Sequence, residues 1–231
     1  MKSIKTLALV TGLLAISGVS QAQFSSTWTA VSDYDFRGFS QSAKSPALQG
    51  SADYAFSNGL SIGAWASNVD FSPLDGDIEL DAYLNYVGKI NDTFSWTGGF
   101  TYYSYPGSDD IGEYPEFYLG FNAGAFSFKQ WYADKLYDGD NSGQYTEANY
   151  TATVTDKFTL AFHAGYAWGD AWEDVELFDY AVQANYVAGH FTIFGKFTGT
   201  DASDGQKIES DENNNEPRFL VGVMTTFPWG D

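Results

Sequence analysis

From Phe24 onward the chain is a succession of short segments in which apolar and polar residues alternate, joined by links that are in turn short and long. Between Leu48 and Phe56, the residues Leu48, Gly50, Ala52, Tyr54 and Phe56 fall on one face and Gln49, Ser51, Asp53 and Ala55 on the other. A period of two with unlike faces marks a β-strand lying between two environments. Ser57-Asn58-Gly59 then sends the chain back through Leu60, Ile62, Ala64 and Ala66, since Asn and Gly tolerate the positive φ of a tight hairpin. Further segments of this kind begin at Ile78, Phe94, Glu116, Phe126, Thr146, Phe158, Phe178, Phe191 and Arg218, and with an opening segment over 24–36 they predict about twelve strands.

Five links are short, at 57–59, 88–93, 123–125, 154–157 and 188–190, and six are longer, at 37–47, 71–77, 106–112, 134–143, 168–177 and 199–217. Strict alternation of the two kinds is what an up-and-down barrel with both chain ends on the periplasmic side requires. Most segments have about 8 to 12 residues, near the roughly 9–11 with which a tilted strand crosses a bilayer. The predicted fold class is therefore all-β, a single antiparallel up-and-down transmembrane β-barrel. Aromatic residues near strand ends, among them Phe56, Tyr86, Phe94, Phe126, Phe158, Tyr166 and Tyr186, would form the girdles at the two interfaces. A soluble sandwich would have to bury all of these rings instead.

The first residues follow a different rule. Lys2 and Lys5 precede an apolar run over 6–16 and a small-residue stretch ending Ser20-Gln21-Ala22, the order of a secretory signal peptide cleaved between Ala22 and Gln23. The run is shorter than the roughly 20 residues a spanning helix needs. The domain division expected is thus 1–22 signal peptide and 23–231 barrel. No later apolar stretch approaches helix length, so residence in a membrane requires a closed sheet. Loss of the signal leaves 209 of 231 residues, with 9 Lys and Arg against 30 Asp and Glu, a formal charge of −21. That balance repels phosphate backbones and excludes nucleic acid as a partner. With no cysteine in the chain, neither a disulfide framework nor a thiolate site is available.

Several strings carry a family resemblance. Val31-Ser32-Asp33-Tyr34-Asp35-Phe36-Arg37-Gly38-Phe39-Ser40-Gln41-Ser42, followed by 46–54 (PALQGSADY), resembles the opening signature of the TorF-like porin family of exported bacterial proteins. The likeness continues through 63–71 (GAWASNVDF), 79–83 (ELDAY) and Tyr105-Pro106-Gly107, and is sharpest in the first half of the chain. It implies an outer-membrane location and a pore role. The chain departs from many outer-membrane barrels, which finish on an aromatic residue, by running Phe227-Pro228-Trp229-Gly230-Asp231.

Alternation places Asp53, Glu79, Asp81, Glu116, Glu147, His163 and Gln183 on the inward faces, with Lys196 and Lys129 as scarce positive charges. A lumen lined this way favours cations, because a low-dielectric wall strengthens the field of fixed charges. In so small a barrel the same residues could instead pair and fill the interior, and both forms stand at this point. Asp33, Asp35 and Arg37 cluster at the end of the first predicted strand, where Arg37 reads first as the ion-pair partner of Asp33 or Asp35 and second as a fixed cation or ligand clamp. No long constriction loop is identifiable among the links.

Acid concentrates in the long links, including Asp75, Asp77, Asp109, Asp110, Asp134, Asp138, Asp140, Asp170, Asp174, Asp201 and Glu209. Hard oxygen ligands of this kind would take calcium weakly, if any metal, while two separated histidines and no cysteine disfavour zinc or iron. No cofactor is expected. His163 and His190, the two available imidazole bases, are predicted far apart, which argues against a hydrolase and for a non-enzymatic protein. Expected partners are outer-membrane lipid, the outer-membrane assembly machinery and small polar or cationic solutes. The leading function is passive diffusion through a porin, and the alternative is a non-porous structural or adhesion barrel whose acidic loops bind surface partners or calcium.

Overall fold

A computed structural model describes residues 23–72, 74–136, 139–173, 177–201 and 216–229. The signal segment and its cleavage point lie outside the described residues, as do the loop acids Asp138, Asp174 and Glu209. Strand β1 (Gln23–Val31) is followed by two-residue strands β2 (Asp35–Phe36) and β3 (Phe39–Ser40), and then by β4 (Ala47–Ala55), β5 (Leu60–Asn68), β6 (Ile78–Lys89), β7 (Phe94–Ser104) and β8 (Tyr114–Ala123). The chain continues through β9 (Phe126–Ala133), β10 (Gly143–Thr153), β11 (Phe158–Trp168), β12 (Leu177–Ala188), β13 (Phe191–Thr200) and β14 (Arg218–Phe227). Twelve of these, all but β2 and β3, form one closed ring of antiparallel neighbours. Each pairs with the next in sequence, and β1 closes the ring against β14 with Trp28 opposite Thr225.

Closure removes every strand edge, so the side chains, not the backbone, decide what each surface can meet. On β8, Leu119 is 64% exposed while its neighbour Tyr118 is buried, and on β14 Phe219 is 68% exposed beside buried Leu220. Trp28, Ile62, Leu84, Trp96, Phe117 and Val182 share the outer surface, whereas Asp53, Glu79, Glu116, Glu147 and Lys196 are buried inside. The barrel is inverted relative to a soluble protein, with its apolar residues out and its charges in. Among the described residues no helix is long and apolar enough to cross a membrane. The chain end packs back against the wall, with the Trp229 ring stacked on Phe227 and His190 and its Nε1 donating to Thr225 at 2.9 Å.

Two expectations about the first link are overturned. The strand expected over 24–36 ends at Val31, and 32–46, which shows no sign of a constriction in the sequence, turns into the barrel as the hairpin β2–β3. Its two central residues, Arg37 at φ 50 and Gly38 at φ 84, give the paired positive values of a two-residue type I′ turn. Inside the loop-side half of the lumen, Tyr34 joins Val31, Ala47, Val69 and Leu220, and Phe39 joins Tyr118, Trp131 and Tyr145. The hydrophobic core of this protein therefore sits within the barrel, built around its own first loop.

Candidate functional site

Among the described residues, charged side chains from many strands converge in the lumen. The hairpin enters it with acids on one flank and a base at its tip, and each meets its opposite on the wall. Arg218 of β14 donates from Nε to Asp33 Oδ2 and from Nη2 to Asp35 Oδ1, both at 2.5 Å, and from Nη1 to the Gly38 carbonyl at 2.7 Å. Lys196 of β13 holds the other Asp35 oxygen at 2.5 Å. Burial works to raise the Asp35 carboxyl, but Lys196 and Arg218 beside it outweigh that and hold it below the ordinary carboxylate range. Ser40 and Ser42 donate to Asp33 Oδ1 at 2.5 and 3.2 Å.

At the tip, Arg37 reaches β8. Its Nη1 and Nη2 donate to the two oxygens of Glu116 at 2.9 and 2.7 Å, a bidentate pair of the strong, orienting kind. The guanidinium also lies 4.0 Å from the Tyr145 ring centre and 4.7 Å from that of Phe36, which adds cation–π attraction. Thus the partner of Arg37 is Glu116, and not the neighbouring Asp33 or Asp35 expected from the sequence. Those two acids are taken by Lys196 and Arg218, because the tight turn points the tip and the flanks of the hairpin at different walls.

A second network runs along β9 to β12. Trp131 Nε1 and Asn149 Nδ2 donate to the two oxygens of Glu147, at 2.9 and 3.1 Å, and Lys129 stands 3.7 Å away. The ring nitrogens of His163 meet Asn149 Oδ1 at 2.7 Å and Asp179 Oδ1 at 2.8 Å, and the Tyr145 hydroxyl donates to Asp179 Oδ2 at 2.9 Å. Gly165 leaves room for this contact, since a Cβ there would overlap both the Tyr145 hydroxyl and Asp179. Gly165→Ala is expected to cost about 1–3 kcal/mol by overpacking, read as a lower urea midpoint. Gly98→Ala, whose nearest neighbour would lie at 3.5 Å, should leave the midpoint unchanged.

On the remaining arc, Asp53 of β4 accepts from Ser51 at 2.7 Å and from the Tyr83 hydroxyl. Glu79 and Asp81 of β6 are buried, yet no donor among the described residues reaches Glu79 Oε2 or Asp81 Oδ1. The nine charged residues singled out in the sequence all lie in the lumen, three of them on the hairpin and six on the wall. Sequence reasoning missed Arg218 and Asp179. Below the hairpin is a cavity of about 170 Å³, bordered by Asp81, Tyr83, Glu147, His163, Gln183 and Lys196 among others.

The family model described as "Bacterial protein of unknown function (Gcw_chp)" matches residues 15–227. No curated protein matches the chain. Among solved structures, the KdgM porin superposes with a TM-score of 0.57 at 15% identity, covering 88% of this chain and 99% of that one. The NanC porin gives 0.59 at 12% identity, covering 89% of this chain and 100% of that one. The KdgM porin in complex with disordered oligogalacturonate gives 0.57 at 14% identity, with the same coverage as its uncomplexed form. At such identities the shared property is the barrel fold, and the TorF-like name suggested by the sequence strings gains no support from these matches.

Proposed function

We propose that this chain, which belongs to the Gcw_chp family of bacterial proteins, is an outer-membrane barrel that passes small cations and small polar solutes by passive diffusion through a lumen narrowed by its own first loop. The observation that carries this reading is the charge inventory of the interior. Among the described residues the lumen gathers eight carboxylates, Asp33, Asp35, Asp53, Glu79, Asp81, Glu116, Glu147 and Asp179, against Arg37, Lys129, Lys196 and Arg218. Setting His163 aside, the carboxyl groups formally outnumber the cations by four inside a wall of low dielectric, where an excess of one sign concentrates counter-ions. The polyanionic oligogalacturonate seen with the KdgM porin is a poor match to such an interior.

In planar bilayers under a potassium chloride gradient, the reading expects small conductance steps with a reversal potential on the cation side. Steps with anion preference would overturn it. A second reading, a non-porous structural barrel, is favoured by the packing of Tyr34 and Phe39 in the loop-side half of the lumen. It expects no steps from protein that is well folded.

Lipid contact has its own test. Leu119 lies near the middle of β8 on the outer surface, so Leu119→Arg should cost about 2–4 kcal/mol of stability in liposomes, the penalty of a charge at the bilayer midplane. The urea unfolding midpoint reads this directly, and a cost near zero would place that face in water.

A further inference from the structure

We infer that Glu79 and Asp81 form a binding site for one hard cation, calcium being the divalent ion it takes best, on the lumen wall away from Lys196 and Arg218. The inference depends on the barrel geometry alone and is independent of whether the lumen conducts. The two residues are two apart on β6, so both project to the same inner face. They are 3% and 7% exposed. In the adjoining strands Ser67 lies opposite Glu79, and Trp65 and Tyr103 flank Asp81.

What sets this pair apart is the contrast with the other lumen carboxylates. Asp33, Asp35, Glu116, Glu147 and Asp179 each have a basic side chain within 4 Å, and Asp53 has two hydroxyl donors. Glu79 and Asp81 have no ion pair among the described residues, and although Glu79 accepts from the Tyr34 hydroxyl, each presents a buried oxygen that no donor reaches. A buried carboxylate oxygen left without a donor is costly, and two such carboxylates side by side repel each other as well. A bound cation removes both penalties at once.

The surroundings select the kind of cation. Carboxylate and hydroxyl oxygens of Glu79, Asp81, Ser67 and Tyr103 offer a hard, oxygen-only environment, with no sulfur and no imidazole on β5, β6 or β7. Such donors suit calcium and disfavour zinc or copper. Among the described residues no three His, Cys, Asp or Glu converge to hold a metal, so water must complete the shell, supplied from the cavity that Asp81 borders. Two carboxylates with water ligands place the affinity in the weak range of extracellular calcium modules, about 10⁻⁴–10⁻³ M.

The test uses the processed chain refolded in detergent, with terbium(III) as the probe in place of calcium. Excitation of the aromatic rings, Trp65 and Tyr103 among them, should give sensitised terbium emission that millimolar calcium displaces. In the double variant Glu79→Gln/Asp81→Asn this calcium-displaceable emission should fall at least tenfold, whereas Asp109→Asn/Asp110→Asn in an outer loop should retain it. Calcium should also raise the unfolding temperature of the native chain and leave that of the inner double variant unmoved. If the double variant fails to show the heat-modifiable gel shift of a folded barrel, Glu79→Gln and Asp81→Asn are measured singly, and each is expected to lose most of the signal. Equal calcium-displaceable emission from native and inner-variant protein would overturn the proposal. So would the absence of any calcium response in a folded native chain, the behaviour of a pair that shares a proton instead.

Discussion

Arg218→Met is expected to cost about 3–5 kcal/mol of stability, the penalty for stranding buried charge by removing one partner. Arg218 satisfies Asp33, Asp35 and the Gly38 carbonyl at once, and the methionine would leave Asp33 with serine donors alone. Lys196 would remain as the sole cation at Asp35. Adding Asp33→Asn to the same chain should recover a large part of the loss, because the stranded charge and not the missing contact dominates the cost. Denaturant unfolding in liposomes, compared across the two single variants and the pair, measures the coupling. Additive losses would mean that the cluster contributes little to holding the hairpin.

The same cluster makes an acid-side prediction. Asp35 is held below the ordinary carboxylate range in the folded barrel, so its contribution is complete above the unfolded value of about 3.9 and is lost as pH falls through the lower folded value. Native stability should therefore drop below about pH 4. The drop should be shallower in Arg218→Met, which loses one of the two cations that depress the group.

The second large effect concerns conduction. Replacing 34–41 by a short glycine-serine link removes Tyr34, Phe36, Arg37 and Phe39 from the lumen while leaving all twelve barrel strands in place. Single-channel conductance should rise several-fold, and cation preference should be retained. The preference persists because the charge balance is unchanged: loss of Arg37 uncovers Glu116 on the wall while loss of Asp35 frees Lys196. An unchanged conductance would mean that the hairpin does not set the width of the path.

Much of the barrel could be read from residue order. Segments such as 48–56 and 116–123 have one apolar and one polar face, and their links carry recognisable turn residues, so strand number and facing followed directly. The inturned hairpin could not, because Asp33-Tyr34-Asp35-Phe36 alternates like a continuation of β1. The signal that was there is local: Arg37-Gly38 between two phenylalanines is a two-residue turn flanked by strand formers. Arg218 was hidden for another reason. Along β14 both faces look apolar, Phe219, Val221 and Val223 outside against Leu220 and Met224 inside, so alternation gives no direction. The pairing of Arg37 with Glu116 joins residues 79 apart in sequence, and depends on where the turn aims the guanidinium. Local pattern carries no such information.

The central claim is that one face of the closed sheet meets lipid and the other does not. Native tryptophans test it, since Trp28 and Trp96 project outward while Trp65 and Trp131 face the lumen. Single-tryptophan variants reconstituted in vesicles of brominated phospholipid should show strong fluorescence quenching for Trp28 and Trp96 and almost none for Trp65 and Trp131. Equal quenching at all four positions, or a chain that stays folded and monomeric in water without lipid or detergent, would contradict the account.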